Sequence, residues 1–257
     1  MVVQFDLSGK RILVTGGTRG IGGAAVAAFL DAGARVAVNG RTAESTASAI
    51  AAHGSNDRLL PAPGSVATAA GCQAIVETAI AGLGGLDILV NSAGLGDVGR
   101  IEEIDEAFWD EMLAVNLKGT FFSIRFALAA LRESGGNIVN IASDAGLMGD
   151  VGSGSVYCAS KGGVVNMTRA MALELAPRIR VNCVCPGYVD TDMVRRDGIE
   201  QADDPAAAEQ ALKDYAPLKR IASPEEIASA ILYLASDEAR FVTGAAFQID
   251  GGSTAGH

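Results

Sequence analysis

The chain has 257 residues, 49% of them apolar and 19% charged, which excludes an intrinsically disordered protein, since that needs low hydrophobicity and high charge. Lys and Arg total 20 against 30 Asp and Glu, a formal charge of −10, so no basic footprint for a nucleic-acid backbone exists and no nucleic-acid partner is expected.

Taken in chain order, the first residues, M-V-V-Q-F-D-L-S-G-K, carry no basic segment followed by a long apolar stretch. No run of about 18 uninterrupted apolar residues occurs, so neither a signal peptide nor a membrane span is expected, and the expected location is the cytoplasm. A β-branched run predicts a strand over 11–15. It ends in T-G-G-T-R-G-I-G, Thr15 to Gly22, and a helical pattern covers 22–32. Strand, glycine turn and helix start together make a phosphate site, where backbone N–H groups and the positive helix end face an anion. Gly16 permits the turn, Gly20 lets a pyrophosphate approach, and Gly22 allows close packing of helix on strand; Thr18, Arg19 and Ile21 complete the cradle. The spacing is G-x-x-x-G-x-G rather than the usual G-x-G-x-x-G.

A second strand, 35–39, runs into Asn39, Gly40 and Arg41. An acidic residue here would bind the ribose 2′-OH of NAD, whereas a guanidinium suits a 2′-phosphate. Arg19 supplies a second positive charge. The expected cofactor is therefore NADP(H), with NAD(H) as the alternative. Further strands are predicted over 58–62, 87–91, 137–142, 180–185 and 245–249, and long helices over 105–133 and 154–176. Most of the strands are apolar throughout, as strands buried on both faces are. The expected fold class is α/β: one Rossmann-like, doubly wound parallel sheet with helices on both faces, in a single domain spanning 1–257.

Ser143 follows the strand at 137–142, where an open sheet places its ligands. The 154–176 helix carries Y-C-A-S-K, so Tyr157 and Lys161 stand at i and i+4 on one face. A free tyrosine has a pKa near 10, and a neighbouring ammonium lowers it, so the pair can give a proton to a carbonyl or take one from an alcohol. Of the four cysteines, Cys72, Cys158, Cys183 and Cys185, none forms a C-x-x-C pair. They read as free thiols in a reducing compartment, and no metal site is expected. Residues 192–215 interrupt the alternation with a polar, acidic insertion holding Asp197, Glu200, Asp203, Asp204 and Glu209. A long irregular segment of this kind is expected to be a substrate-binding lid.

T-G-G-T-R-G-I-G, N-S-A-G at 91–94, V-N-L-K-G-T-F at 115–121, Ser143, Y-C-A-S-K and C-P-G-Y-V-D-T at 185–191 occur in one order. In these motifs, over residues 6–253, the chain resembles the short-chain dehydrogenase/reductase family in its compact single-domain branch. The resemblance implies hydride transfer between a nicotinamide and a carbonyl or secondary alcohol, on the B face, with Tyr157 as general acid/base. Lys161 would lower the pKa of Tyr157 and hold the nicotinamide ribose, Ser143 would orient the carbonyl, and Asn116 would hold a water linking Lys161 to solvent. Asn91, Ala93 and Gly94 would border the adenosine, and Pro186, Gly187, Val189 and Thr191 the nicotinamide, with Thr191 near its carboxamide. Two departures stand out. Ser92 replaces an Asn that mainly supports the sheet. Ser65-Val66 replaces Asp-Val, leaving the Ser65 hydroxyl to hydrogen-bond adenine.

The chain most resembles 3-oxoacyl-carrier-protein reductases and related carbonyl and secondary-alcohol enzymes. Arg132 and Arg178 are candidates for meeting an acidic carrier at the entrance, but the acidic 192–215 segment would repel one. A small ketone, diketone or polyol is the preferred substrate class. A non-enzymatic NADPH-binding regulator is the rival reading. The apolar surplus on helices 105–133 and 154–176 and the segment F-V-T-G-A-A-F-Q-I-D-G-G predict a homotetramer, with a homodimer as the alternative.

Overall fold

The structure, a computed structural model, describes residues 5–54, 56–149, 154–196 and 198–256. Among these, seven strands form one parallel sheet: β1 (Arg11–Thr15), β2 (Arg35–Val38), β3 (Leu59–Pro61), β4 (Ile88–Asn91), β5 (Asn137–Ile141), β6 (Arg180–Pro186) and β7 (Ala246–Ile249), in the order β3-β2-β1-β4-β5-β6-β7. The chain winds outward from β1 to β3, then returns to add β4 on the other side of β1. That reversal opens a crevice beyond the carboxyl ends of β1 and β4, the place where open α/β sheets bind ligands.

The strands are apolar throughout because both faces are covered. Successive residues of β1 point to opposite sides: Ile12 and Val14 pack with Val36, Val38, Ile88 and Val90 against α1 (Gly20–Asp31) and α9 (Pro224–Ala235), while Leu13 packs with Ala37, Leu89 and Ile138 on the other face. That second face is closed by α3 (Ala69–Leu83), α5 (Gly119–Ser134) and α6 (Ser155–Leu175). The remaining crossover, α2 (Ala43–Ala52), starts in a capping box in which Thr42 and Ser45 satisfy each other's backbone N–H groups.

The helix expected over 105–133 is two helices in one run. Asp105 caps α4 (Glu106–Leu113) by accepting from Phe108 N at 2.8 Å, a π-helical turn covers Ala114–Lys118, and α5 continues to Gly135, whose φ of 65° ends it. Gly119 allows α5 to lie close on the chain after β3, since a Cβ there would stand 2.8 Å from Val66 O. By length and composition alone, Glu106–Ser134 is the one helical run among the described residues long and apolar enough to cross a membrane. Its inner face, Ile124, Ala127 and Leu131, belongs to the core.

Residues 192–215 differ from the long irregular segment expected. They hold α7 (Asp192–Arg195), a 3-10 turn at Ile199–Gln201 and α8 (Pro205–Tyr215). The start of α8 follows the ordinary signal, with Asp204 accepting from Ala207 N at 3.0 Å and Pro205 in the first turn. Asp197, counted in the acidic insertion, lies outside the described residues.

Candidate active site

The glycine turn is shaped by contacts on both sides. Gly16 and Gly20 take φ values of +63° and +55°, a region that costs other residues strain. A Cβ on Gly16 would lie 2.7 Å from Ala93 Cα, so this glycine lets the turn touch the loop after β4. Gly22 has no room for a Cβ against the carbonyl oxygen of Gly16. Arg19 is the N-cap of α1 and its side chain makes no capping hydrogen bond. The first-turn N–H groups thus face the crevice without a side-chain acceptor, which fits an anion such as a pyrophosphate. Ile21 is half-buried and packs against the core.

Beside the turn, Asn39 is only 2% exposed. Its Nδ2 donates to Ala62 O at 2.8 Å and Gly64 O at 3.1 Å, and its Oδ1 accepts from Gly16 N at 3.2 Å. It is a strut that ties the turn after β1 to the chain after β3. Gly40 stands against Thr18 and Thr46. Arg41 is exposed and makes no ion pair among the described residues. Arg19 instead reaches Asp192 Oδ2 of α7 at 3.3 Å. Ser65 is exposed, its Oγ accepting from Ala67 N at 3.3 Å, and Val66 is buried beneath α5.

The N-S-A-G loop is held by Thr15, whose Oγ1 accepts from Ser92 N at 3.2 Å and Ala93 N at 3.3 Å. Next to Ser92, Asn91 ties β4 to β5. Its Nδ2 donates to Asn140 Oδ1 at 2.9 Å, and Asn140 donates to Thr168 Oγ1 at 2.9 Å. Asn91 and Asn140 are partners in the β4–β5 register, so their side chains meet on one face.

Lys161, on α6, is 6% exposed and its Nζ donates to Ile141 O at 3.0 Å, at the end of β5. Burial of the ammonium lowers its pKa from 10.5 to about 8. One helical turn earlier Tyr157 is half-buried, with its ring centroid 5.7 Å from Lys161 Nζ. A Cβ on Gly94 would stand 3.4 Å from that ammonium and 3.3 Å from Asn116 Oδ1. The π-turn aims Asn116 inward: Oδ1 accepts from Leu95 N at 2.8 Å, and Nδ2 donates to Leu95 O at 3.0 Å and Ser160 Oγ at 3.0 Å. Ser160 in turn donates to Tyr157 O at 2.8 Å. Asn116 therefore clamps the loop after β4 to α6, a role its position inside an apolar helix did not announce.

Ser143, 7% exposed, begins a 3-10 turn, Asp144–Gly146. Its Oγ accepts from Ala145 N at 3.2 Å and donates to Asp144 Oδ1 at 3.1 Å. Gly146 lets this turn lie on α6, since a Cβ there would come within 2.8 Å of the Lys161 carbonyl. Burial pushes the Asp144 carboxyl up from the ordinary range, opposed by hydrogen bonds from Ser253, Ser143 and Ala145.

The chain leaves β6 through Pro186 and Gly187, whose N–H donates to Ile249 O at 3.1 Å. Val189 is buried and bridges to Ala222. Thr191 comes back to the glycine turn, its Cγ2 3.2 Å from a Cβ built on Gly20. All these groups line the carboxyl edge of the sheet. Arg132 and Arg178 do not. Arg132 is in the last turn of α5, leading into β5, and Arg178 lies just before Ile179 and the start of β6. Parallel strands start at one edge, so within one protomer both guanidiniums lie at the opposite end of the sheet from Ser143.

A family model described as Enoyl-(Acyl carrier protein) reductase matches residues 16–254. The 2-(S)-hydroxypropyl-CoM dehydrogenase 3 of Xanthobacter autotrophicus is 40% identical over 97% of this chain and 98% of its own. A crystal structure of a short-chain dehydrogenase/reductase of the glucose/ribitol dehydrogenase type from Brucella melitensis superposes with a TM-score of 0.90 at 34% identity, over 98% of this chain and 99% of that one. The chain belongs to the short-chain dehydrogenase/reductase family. Like its relatives, this short-chain dehydrogenase/reductase is an oxidoreductase that acts on alcohol and ketone groups of small molecules with a nicotinamide cofactor. Another similar protein, the D-threitol dehydrogenase of Mycolicibacterium smegmatis, is 41% identical over 98% of this chain and 95% of its own.

Proposed function

We propose that this chain is an NADP(H)-dependent carbonyl reductase, equally a secondary-alcohol dehydrogenase in reverse, for a small ketone, diketone or polyol. The observation that carries the reading is the buried Lys161 ammonium, tied to the end of β5 and set 5.7 Å from the Tyr157 ring. When bound, the nicotinamide supplies or accepts the hydride. Tyr157 gives its phenolic proton to the developing alkoxide during reduction and removes it from the alcohol during oxidation. The Lys161 ammonium favours the phenolate and so brings that proton within reach at neutral pH. Ser143 orients the carbonyl oxygen, and Asn116 holds the loop that lets cofactor and lysine share one site.

For the cofactor, the uncapped α1 terminus with Gly16, Thr18, Gly20, Ile21 and Gly22 takes the pyrophosphate. Ser65, Val66, Asn91, Ala93 and Gly94 border the adenosine side through their backbone and the exposed Ser65 hydroxyl. Pro186, Gly187, Val189 and Thr191 border the nicotinamide. Arg41, with no carboxylate partner among the described residues, is left for a 2′-phosphate, and Arg19 adds charge from the turn. Residues 192–215 form the substrate lid of a single catalytic domain. Enoyl reduction, which the matching family model's description raises, is disfavoured because Tyr157 and Lys161 are only one turn apart.

A homotetramer suits the outer surface. Trp109, Phe121 and Leu173 are exposed on α4, α5 and α6, and Phe121 lines a groove of about 900 Å³ with Leu113, Leu117 and Met167. Sedimentation of Phe121→Asp as a smaller species than the parent would support that face.

The test is NADPH oxidation, with NADH in parallel, against diacetyl, ethyl acetoacetate, acetophenone, dihydroxyacetone and a β-ketoacyl thioester. Turnover of the small ketones with NADPH is expected. Tight NADPH binding with no turnover of any of them would favour a cofactor-binding regulator, and preference for the thioester would return the acyl reading.

A further inference from the structure

Asp192 has no part in the mechanism above, yet it sets a carboxylate beside the glycine turn. Thr191, the N-cap of α7, stands against Gly20. Asp192 Oδ2 is 3.3 Å from Arg19 Nη1, at the start of α1. Met193 puts its thioether where a Cβ on Gly96 would stand, in the loop after β4. Three successive residues thus reach from the glycine turn to the loop opposite.

The scaffold puts the carboxylate there independently of Arg19. Asp190 N donates to Ala222 O at 2.8 Å, beside the bridge between Val189 and Ala222. Arg195, at the end of α7, donates to both carboxylate oxygens of Asp190 at 2.6 and 2.8 Å and reaches Glu209 of α8 at 3.2 Å. Helix α7 is therefore anchored from its far end. Arg196 Nε lies 3.6 Å from Asp192 Oδ1, so the carboxylate keeps a second cation if Arg19 turns away.

The side chains of Arg19 and Asp192 are 70% and 39% exposed, and an ion pair so exposed adds little to stability. Its place gives it another consequence. Arg19 is the N-cap residue of α1, the terminus that faces an anion, and a nicotinamide dinucleotide carries phosphates. A guanidinium held by a carboxylate must release or share that partner to bind a phosphate, and the carboxylate also repels the phosphate. We propose that Asp192 competes with a cofactor phosphate for Arg19 and so sets the affinity for the dinucleotide. The competition keeps an anionic cofactor exchangeable, as one that leaves in every turnover must be. It rests on the reading of the α1 terminus as the phosphate site and not on the choice of NADP(H) over NAD(H), since both carry a pyrophosphate.

Fluorescence titration of the full-length protein with NADPH and with NADH gives the Kd values that test this. Asp192→Asn is nearly isosteric, and Asp192→Ser takes its place if that variant does not fold. Neutralising Asp192 should tighten dinucleotide binding about two- to fivefold, the scale of an exposed ion pair. Tightening of NADPH alone would put the 2′-phosphate at Arg19, and tightening of both cofactors would put the pyrophosphate there. Arg19→Met should bind more weakly than the parent, and in that background Asp192→Asn should tighten neither cofactor. An unchanged or weaker Kd in Asp192→Asn, with a loss on Arg19→Met, would overturn the competition and keep Arg19 in the site. The same tightening in both backgrounds would also overturn it, because the carboxylate would then act through Arg196 or the general field of the lid. Parental Kd values in Arg19→Met would instead remove Arg19 from the cofactor site, and the competition with it.

Discussion

Lys161 Nζ lies 5.7 Å from the centroid of the Tyr157 ring and donates to Ile141 O at 3.0 Å. The helix supplies the first relation, through the one-turn spacing of the two residues on α6. The sheet supplies the second, by presenting the last carbonyl of β5. A buried ammonium is costly to maintain, and burial lowers the pKa of Lys161.

Removing the phenolic oxygen isolates the proton transfer. Tyr157→Phe is expected to lower kcat by about 10²–10⁴-fold with little change in NADPH Kd. Steady-state kinetics and fluorescence titration of the same preparation check this, and retained turnover would remove Tyr157 from the chemistry.

The lowered Lys161 pKa sets a pH dependence. With its value near 8, the ammonium is present below that pH and lost above it, so kcat/KM for carbonyl reduction should decline as pH rises through about 8. The limb should disappear in Lys161→Met, on a lower plateau. For stability the sign is opposite. Between about 8 and the ordinary 10.5 the unfolded chain binds more protons than the folded one, so the penalty of burying Lys161 fades as pH rises across that window.

Arg41→Ala should raise the KM for NADPH about tenfold or more, the scale of a charge-assisted phosphate contact, and leave the KM for NADH nearly unchanged. Parallel kinetics with the two cofactors measure the ratio. Equal effects on both would make Arg41 an ordinary surface residue.

Asn39 offers a test that separates structure from cofactor recognition. Asn39→Ala strips partners from buried Ala62 O and from half-buried Gly64 O and Gly16 N and should cost about 1–3 kcal/mol, read as a lower urea midpoint. The NADPH-to-NADH preference of the protein that remains folded should not change, because the side chain points into the sheet.

Much of the molecule follows from local sequence. Apolar runs make strands buried on two faces, glycines at the end of β1 make the tight turn into α1, and i, i+4 spacing puts Tyr157 and Lys161 on one side of α6. Each depends on neighbours in the chain, so periodicity and residue type suffice. Tertiary structure alone decided the rest. The π-turn at Ala114–Lys118 exists where Asn116 reaches Leu95 and Ser160. Asn39 became a strut, and Asn91 came to donate to Asn140 across β4 and β5. Arg132 and Arg178 fell at the edge away from the site because parallel strands share one polarity. Asp144 met Ser253 only through the packing of the chain after β7. Such contacts join residues distant in sequence, and their hydrogen-bond partners are chosen by strand order and burial, which no local pattern encodes.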